Sequence, residues 1–239
     1  MYCKLPKVLN DLDSFLVPAL CFGCNAHLYR GERILCAFCR NELPLTDTHL
    51  EANSPADRLF YGQRAVVKAA ALLYFEPGGT VQRLIHHLKY RGQEAIGDWL
   101  GDWYGRVLQS EMALQAIDWV IPVPLHARKK RLRGYNQCDR FGRRIAAHLN
   151  AGYSDRMLLR RRYRRTQTSK DRWMRQESIR GAFYVPRPGL LNGARILLVD
   201  DVITTGATLQ ACCEALSTVP GIEIYIAAMA LVPSHQFPN

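Results

Sequence analysis

The sequence predicts an α/β protein with a mainly parallel sheet flanked by helices, preceded by a small N-terminal module built on four cysteines. Three observations carry this expectation. Two CxxC pairs, Cys21-Phe22-Gly23-Cys24 and Cys36-Ala37-Phe38-Cys39, stand eleven residues apart. Beyond residue 50, apolar strand-like runs alternate with segments of helical apolar spacing. The last third contains an apolar strand, an acidic pair, a turn of small residues, a helix and a further strand, in that order. With 239 residues, 48% hydrophobic and 22% charged, the chain can bury a real core and is not disordered throughout.

Each CxxC pair can place two thiolates on one metal from a tight turn, where Gly23 tolerates the backbone geometry and backbone N–H groups can donate to the sulfurs. Together, Cys21, Cys24, Cys36 and Cys39 would complete a tetrahedral, all-thiolate Zn(2+) site of the closed, structural kind. The competing readings are a redox dithiol and two disulfides. Neither accounts for the duplicated pair in a reducing compartment. His27 reads as an ordinary turn residue, and Cys3, Cys138, Cys212 and Cys213 as small buried apolar residues. A segment of this size cannot hold itself together by apolar burial, so the metal should supply much of its folding free energy.

A polar stretch from Thr46 to Asp57, with Asn53-Ser54-Pro55 inside it, marks a boundary between a metal-binding module at 1–50 and a second domain at 51–239. The spacing predicts a strand over 65–75, then a helix over 80–90 with Val81, Leu84, Ile85 and Leu88 on one face. A second helix is expected over 94–108, its Trp99, Trp103 and Val107 serving as core packing rather than a stacking platform. A strand over 117–123 should be ended by Pro122 and Pro124, and a basic loop should follow. Residues 141–149 read as helix, 156–159 as a short strand, 160–180 as a basic stretch, 196–199 as a buried strand, 207–216 as helix and 222–231 as strand.

Asp11 and Asp13 interrupt the N-terminal apolar residues before a signal-peptide core can form, and the run from 222 to 232 is too short to span a bilayer. The expectation is a cytoplasmic protein with no membrane span. The net charge of +11 is local: residues 126–180 carry 18 basic and 4 acidic side chains, leaving 14 and 17 elsewhere. That region could hold single-stranded DNA, with Tyr135, Tyr153, Tyr163 and Trp173 available to stack on bases, or an acidic protein. The bland alternative is a solvated charge run.

The segment running from Arg195 to Thr208 carries the chemistry. An apolar strand delivers Asp200 and Asp201 to the C-terminal edge of a parallel sheet, where open α/β folds bind ligands. Thr204, Thr205, Gly206, Ala207 and Thr208 can then offer backbone N–H groups, hydroxyls and a helix N-terminus to a phosphate. Two carboxylates beside such a cradle make sense if they grip hydrogen-bond donors, such as ribose hydroxyls. The structural alternative is a plain strand-to-helix turn in which Asp200 or Asp201 caps the helix and Thr204 and Thr205 satisfy local backbone groups.

This segment resembles the phosphoribosyl-pyrophosphate (PRPP) motif of type I phosphoribosyltransferases. The resemblance implies that Asp200 and Asp201 bind the ribose hydroxyls as the catalytic pair, that Thr204 to Thr208 bind the 5-phosphate, and that Mg(2+) accompanies PRPP. It also puts pyrophosphate at the loop holding Val123 and Pro124. Lys89 and Arg91 are further candidates for that anion, although a Lys-Tyr-Arg at a helix end equally suits the helix dipole. A lid over 164–175 would exclude water.

The paired CxxC region, His87-Leu-Lys89-Tyr90-Arg91-Gly92, Ile121-Pro-Val-Pro-Leu125, Arg133-Gly134-Tyr135-Asn136-Gln137, Gly181-Ala182-Phe183 and the PRPP motif follow the order seen in the ComF family, also called GntX or DNA-utilization proteins. Arg175-Gln176-Glu177-Ser178 departs from that family's usual Arg-x-x-Asn. The resemblance covers nearly the whole chain. It implies a PRPP-binding domain acting in bacterial DNA uptake, natural competence or use of external DNA, with a competence helicase or recombination mediator as partner. An active phosphoribosyltransferase on an unidentified acceptor and a direct single-stranded nucleic-acid-binding protein are the alternatives.

Overall fold

The computed structural model describes residues 19–49, 51–111, 116–161 and 181–233. Cys3, Tyr163, Trp173, Arg162 and the lid expected over 164–175 lie outside the described residues. Among the described residues the order is α1 (Ala37–Asn41), α2 (Pro55–Arg58), β1 (Val66–Tyr74), α3 (Thr80–Tyr90), α4 (Ala95–Gln109), β2 (Trp119–Pro122), α5 (Ala127–Arg133), α6 (Cys138–Leu149), β3 (Gly152–Tyr153), β4 (Leu159–Arg160), β5 (Phe183–Tyr184), β6 (Arg195–Ile203), α7 (Ala207–Leu216) and β7 (Glu223–Leu231). Five strands form one sheet in the order β1-β7-β6-β2-β3, with every neighbouring pair parallel. β4 and β5 pair antiparallel outside it.

Parallel strands covered on both faces must be apolar throughout, and β7 is buried at all but its first residue. On one face Leu197, Val199, Tyr225 and Ala227 pack against α3, α4 and α6. On the other, Ile196, Leu198, Ile224 and Ile226 pack against Leu209, Cys212 and Leu216 of α7. Cys21, Ile34, Leu35, Cys39 and Leu43 of the cysteine segment join the first of these cores. No described helix is long and apolar enough to cross a membrane.

Several expectations change. The basic loop after Pro124 is instead the helix α5, capped by the His126 side chain and closed by Gly134 at φ 82°. None of its residues is buried, so no apolar periodicity announced it. α6 begins at Cys138, three residues before the expected start, and β4 lies at Leu159–Arg160 rather than over 156–159. β2 is shorter than expected and holds Pro122 as its last residue. β6 runs on past Val199 to Ile203, which carries the acidic pair inside the strand.

The buried face of α4 is not its tryptophan stripe but Ile96, Leu100, Tyr104 and Leu108, flanked by Gly97, Gly101 and Gly105. Trp99 and Trp103 are half-buried and line a groove with Ile34, Leu35 and Arg40 of the cysteine segment. The Arg40 guanidinium lies 5.6 Å from the Trp103 ring centre. The stripe therefore packs at a seam rather than in the centre. The glycines serve the opposite side: a Cβ on Gly101 would fall 2.7 Å from the Phe141 carbonyl oxygen, so glycine lets α4 and α6 close on each other. Glu94, Asp98 and Asp102 then meet Arg140, Arg144 and His148 along the contact at 2.7 to 3.5 Å.

Candidate functional site

β6 ends at the C-terminal edge of the sheet between β2 and β7, and the chain turns at once into α7. Thr204 and Thr205 are exposed, and Gly206 takes the left-handed conformation at φ 75°, which strains any other residue. The N-terminus of α7 has no side-chain cap hydrogen bond. Neither aspartate caps the helix, although the Thr205 hydroxyl accepts the Ala207 N–H at 3.5 Å, which is the local role the plain-turn alternative gives it. A pocket lined by Asp200 and by Thr204, Thr205, Gly206, Ala207 and Thr208 lies at the start of α7.

The two carboxylates have different surroundings. Asp201 is only 6% exposed, and a buried charge of this kind needs partners. It has two: Lys89 Nζ donates to Oδ1 at 2.7 Å, and Gln137 Nε2 donates to Oδ2. Asp200 is partly exposed; its Oδ1 accepts the Asp201 N–H at 2.8 Å and lies 3.7 Å from the Cys138 thiol. Burial and the adjacent Asp201 charge push the Asp200 carboxyl up to about 7, against the pull of the Asp201 N–H and Lys89.

Lys89, at the end of α3, is thus brought to the acidic pair across the sheet edge. Arg91, the residue that ends the same helix, is exposed. Val123 is buried; its N–H donates to the Val199 carbonyl at 2.9 Å and its own carbonyl accepts from Asn136 Nδ2 at 3.0 Å. Pro124 next to it is half-buried. Sequence reasoning missed Gln137 and the polar role of Cys138, which is buried as expected but set against a carboxylate. Burial and the Asp200 charge drive that thiol well above its ordinary range, so it stays protonated and can donate. The signal available was the position of both residues at the start of an amphipathic helix, directly after Asn136, whose Oδ1 accepts the Cys138 N–H at 3.2 Å.

The cysteine segment gathers as its spacing implied. The four Sγ atoms of Cys21, Cys24, Cys36 and Cys39 lie within 4.8 Å of one another and can hold a metal ion. The Gly23 and Cys36 N–H groups each donate to Cys21 Sγ at 3.3 Å, and the Cys39 N–H donates to Cys36 Sγ at 3.5 Å. Burial alone would raise the Cys21 thiol, but the N–H groups of Cys36, Cys24 and Gly23 bring it down to about 7, while burial and the neighbouring thiols push Cys39 up. A Cβ on Gly23 would sit 2.8 Å from Cys39 Sγ, so the knuckle needs glycine. His27 pairs with Leu20 in an isolated bridge, outside the cluster. Phe22, between the first two cysteines, packs on the His87 ring of α3 at 4.9 Å, close in sequence to the acidic pair's lysine.

The strand, acidic pair, small turn and helix fall within residues 137–239, which the family model for the phosphoribosyl transferase domain matches. Over 45 residues, 19% of this chain and 22% of the relative, the sequence is 51% identical to hypoxanthine/guanine phosphoribosyltransferase of Methanosarcina barkeri. Over most of its length the chain is similar to proteins named for DNA utilization and for competence, in line with the resemblance to the ComF family. It is 28% identical over 219 residues to the DNA utilization protein YhgH of Escherichia coli K12, covering 84% of this chain and 91% of that one. It is 25% identical over 219 residues to Competence protein F of Haemophilus influenzae, covering 88% and 90%.

Proposed function

We propose that this ComF-like protein binds PRPP, or a related phosphoribosyl ligand, with Mg(2+), and that it acts in the use of external DNA. The observation that carries the reading is the pocket where Asp200 and the loop from Thr204 to Thr208 meet the N-terminus of α7. That loop would hold the 5-phosphate with N–H groups and the helix dipole. Asp200 would orient the ribose, and Lys89 would neutralise charge on the pyrophosphate. If transfer to an acceptor occurs, Mg(2+) bound to the diphosphate would help it leave as positive charge develops on the sugar. Since Asp200 is the stronger acceptor of a hydroxyl when ionised, binding should strengthen as pH rises through about 7.

The names of the homologues support a link to DNA use. The setting we propose is the cytoplasm, with a competence helicase or recombination mediator as partner, as the likeness to the ComF family implies. In the cysteine segment the four thiolates fit Zn(2+) in a structural role. A second reading has its own support: α5 presents Arg128, Lys129, Lys130 and Arg131 to solvent with no residue buried, a surface suited to single-stranded DNA.

Isotope-detected release of pyrophosphate from PRPP and Mg(2+), across a panel of bases, separates the outcomes. Release makes the protein a phosphoribosyltransferase. Saturable binding without release makes the domain a ligand-responsive module. The absence of both binding and release overturns the phosphoribosyl reading.

A further inference from the structure

We infer that the two carboxylates of β6 have separate tasks: Asp200 meets the ligand, while Asp201 is a positioning residue that fixes the Lys89 ammonium beside it for the ligand's second anionic group. The inference rests on the phosphoribosyl-ligand reading above and divides the labour of that site.

Both oxygens of Asp201 are engaged from within the protein, Oδ1 by Lys89 Nζ at 2.7 Å and Oδ2 by Gln137 Nε2. Gln137 has a fixed sense, because its Oε1 accepts from Arg133 Nη1 at 2.7 Å and this leaves its amide N–H for Asp201. The Arg133 guanidinium in turn lies 5.1 Å from the ring centre of Tyr90, the neighbour of Lys89. The Tyr135 hydroxyl donates to the Leu88 carbonyl. The contacts therefore close a circuit from α3 through Asp201, Gln137 and Arg133 back to α3. This circuit determines where the ammonium stands.

A sunken carboxylate with both oxygens occupied is a poor receptor for two more hydroxyls, and alone it would repel a pyrophosphate. Paired with Lys89 it presents an ammonium whose side chain is 21% exposed and which has two further protons to donate. Asp200 is different: it is partly exposed and lines the pocket with the Thr204 to Thr208 loop. A ribose carrying a 5-phosphate and a 1-pyrophosphate brings two anions. The loop supplies the site for one, and the lysine held by Asp201 supplies the cation for the other.

The test uses the full-length, metal-loaded protein, with ribose 5-phosphate and inorganic pyrophosphate (plus Mg(2+)) titrated separately. Asp201→Asn leaves one acceptor oxygen for two donors, so its amide N–H meets either that of Gln137 or the Lys89 ammonium and the lysine is no longer fixed. It should weaken pyrophosphate roughly tenfold or more, and ribose 5-phosphate several times less. Asp200→Asn should reverse that ranking. The double variant Gln137→Glu/Asp201→Asn restores a donor–acceptor match, because the new amide at position 201 can donate to the new carboxylate at position 137, which still accepts from Arg133. Pyrophosphate affinity should then return to within about threefold of the parent, which a general structural loss would not allow.

A ligand-free readout accompanies these: the Lys89 ammonium resonance, held in slow exchange by its fixed partner, should persist in the parent and the double variant and broaden in Asp201→Asn. The inference is overturned if both single variants rank the two probes alike, if the double variant fails to recover, or if the Lys89 resonance ignores Asp201. If the parent binds neither probe nor PRPP, the phosphoribosyl reading falls and takes the ligand half of the inference with it. The lysine resonance then decides the positioning half on its own.

Discussion

Asp200→Asn should stabilise the protein at high pH while weakening its hold on the ribose 5-phosphate part of the ligand. The Asp200 carboxyl is moved from the ordinary 3.8 to about 7, chiefly by burial and the Asp201 charge. Because the folded-state value is raised, the native chain holds a proton that the unfolded chain releases. Stability therefore declines as pH rises from about 4 to about 7, by about 1.4 kcal/mol per pH unit, and the full penalty of about 4 kcal/mol is present above pH 7. Asparagine keeps the shape and removes the titration. The gain of the variant over the parent should be about 2 kcal/mol at pH 5 and about 4 kcal/mol at pH 8, from the same linkage relation. Other groups that titrate with folding, such as Asp139, are common to both proteins and largely cancel. Urea denaturation of both proteins at the two pH values measures the difference. An equal gain at both, or a destabilised variant at pH 8, would refute the claim that Asp200 is held as a strained acid for the sake of its ligand.

Three other outcomes follow from the geometry. Gly101→Ala should destabilise by about 1–3 kcal/mol through overpacking, less under about 1 kcal/mol returned by alanine's helix propensity, because its Cβ meets the Phe141 carbonyl at 2.7 Å; an unchanged urea midpoint would mean α4 and α6 are not closely apposed. Cys21→Ser, or chelation of the parent, should remove one metal per chain, zinc by elemental analysis, and lower the melting temperature; a parent without metal, or a variant of equal stability, contradicts the closed four-thiolate site. Reversing Arg128, Lys129 and Arg131 to glutamate should weaken single-stranded DNA in filter binding and reduce the slope of log K against log salt by about 2, and an unchanged slope removes α5 as a nucleic-acid surface.

How much of this was legible in the sequence differs by element. The strand, acidic pair, turn and helix around Asp200 could be read because each piece leaves its own mark: an apolar run, adjacent charges, and Gly206 where the backbone needs a positive φ. The cysteine cluster could be read from spacing alone, since a tetrahedral site constrains its ligands more tightly than burial constrains a core. α5 could not, because a helix with nothing buried has no apolar period, and only the Gly134 stop marked it. The glycines of α4 were masked by the tryptophans beside them, although glycine every fourth residue is itself the mark of a close helix pair. Gln137 is the clearest loss. It stood inside the Arg133-Gly134-Tyr135-Asn136-Gln137 motif, but its contact to Asp201 spans 64 residues of chain, and the motif does not name that partner. Lys89 was legible as a candidate, but its partner was not.

If the acidic pair of β6 and the Thr204 to Thr208 loop together form a site for a phosphoribosyl ligand, removing both charges must empty it. Calorimetric titration of PRPP with Mg(2+) into the parent and into the double variant Asp200→Asn/Asp201→Asn tests this most directly. The expected result is saturable one-to-one binding to the parent and none measurable to the variant, with the variant still folded. Equal binding by both proteins, or no binding by the parent, would contradict it.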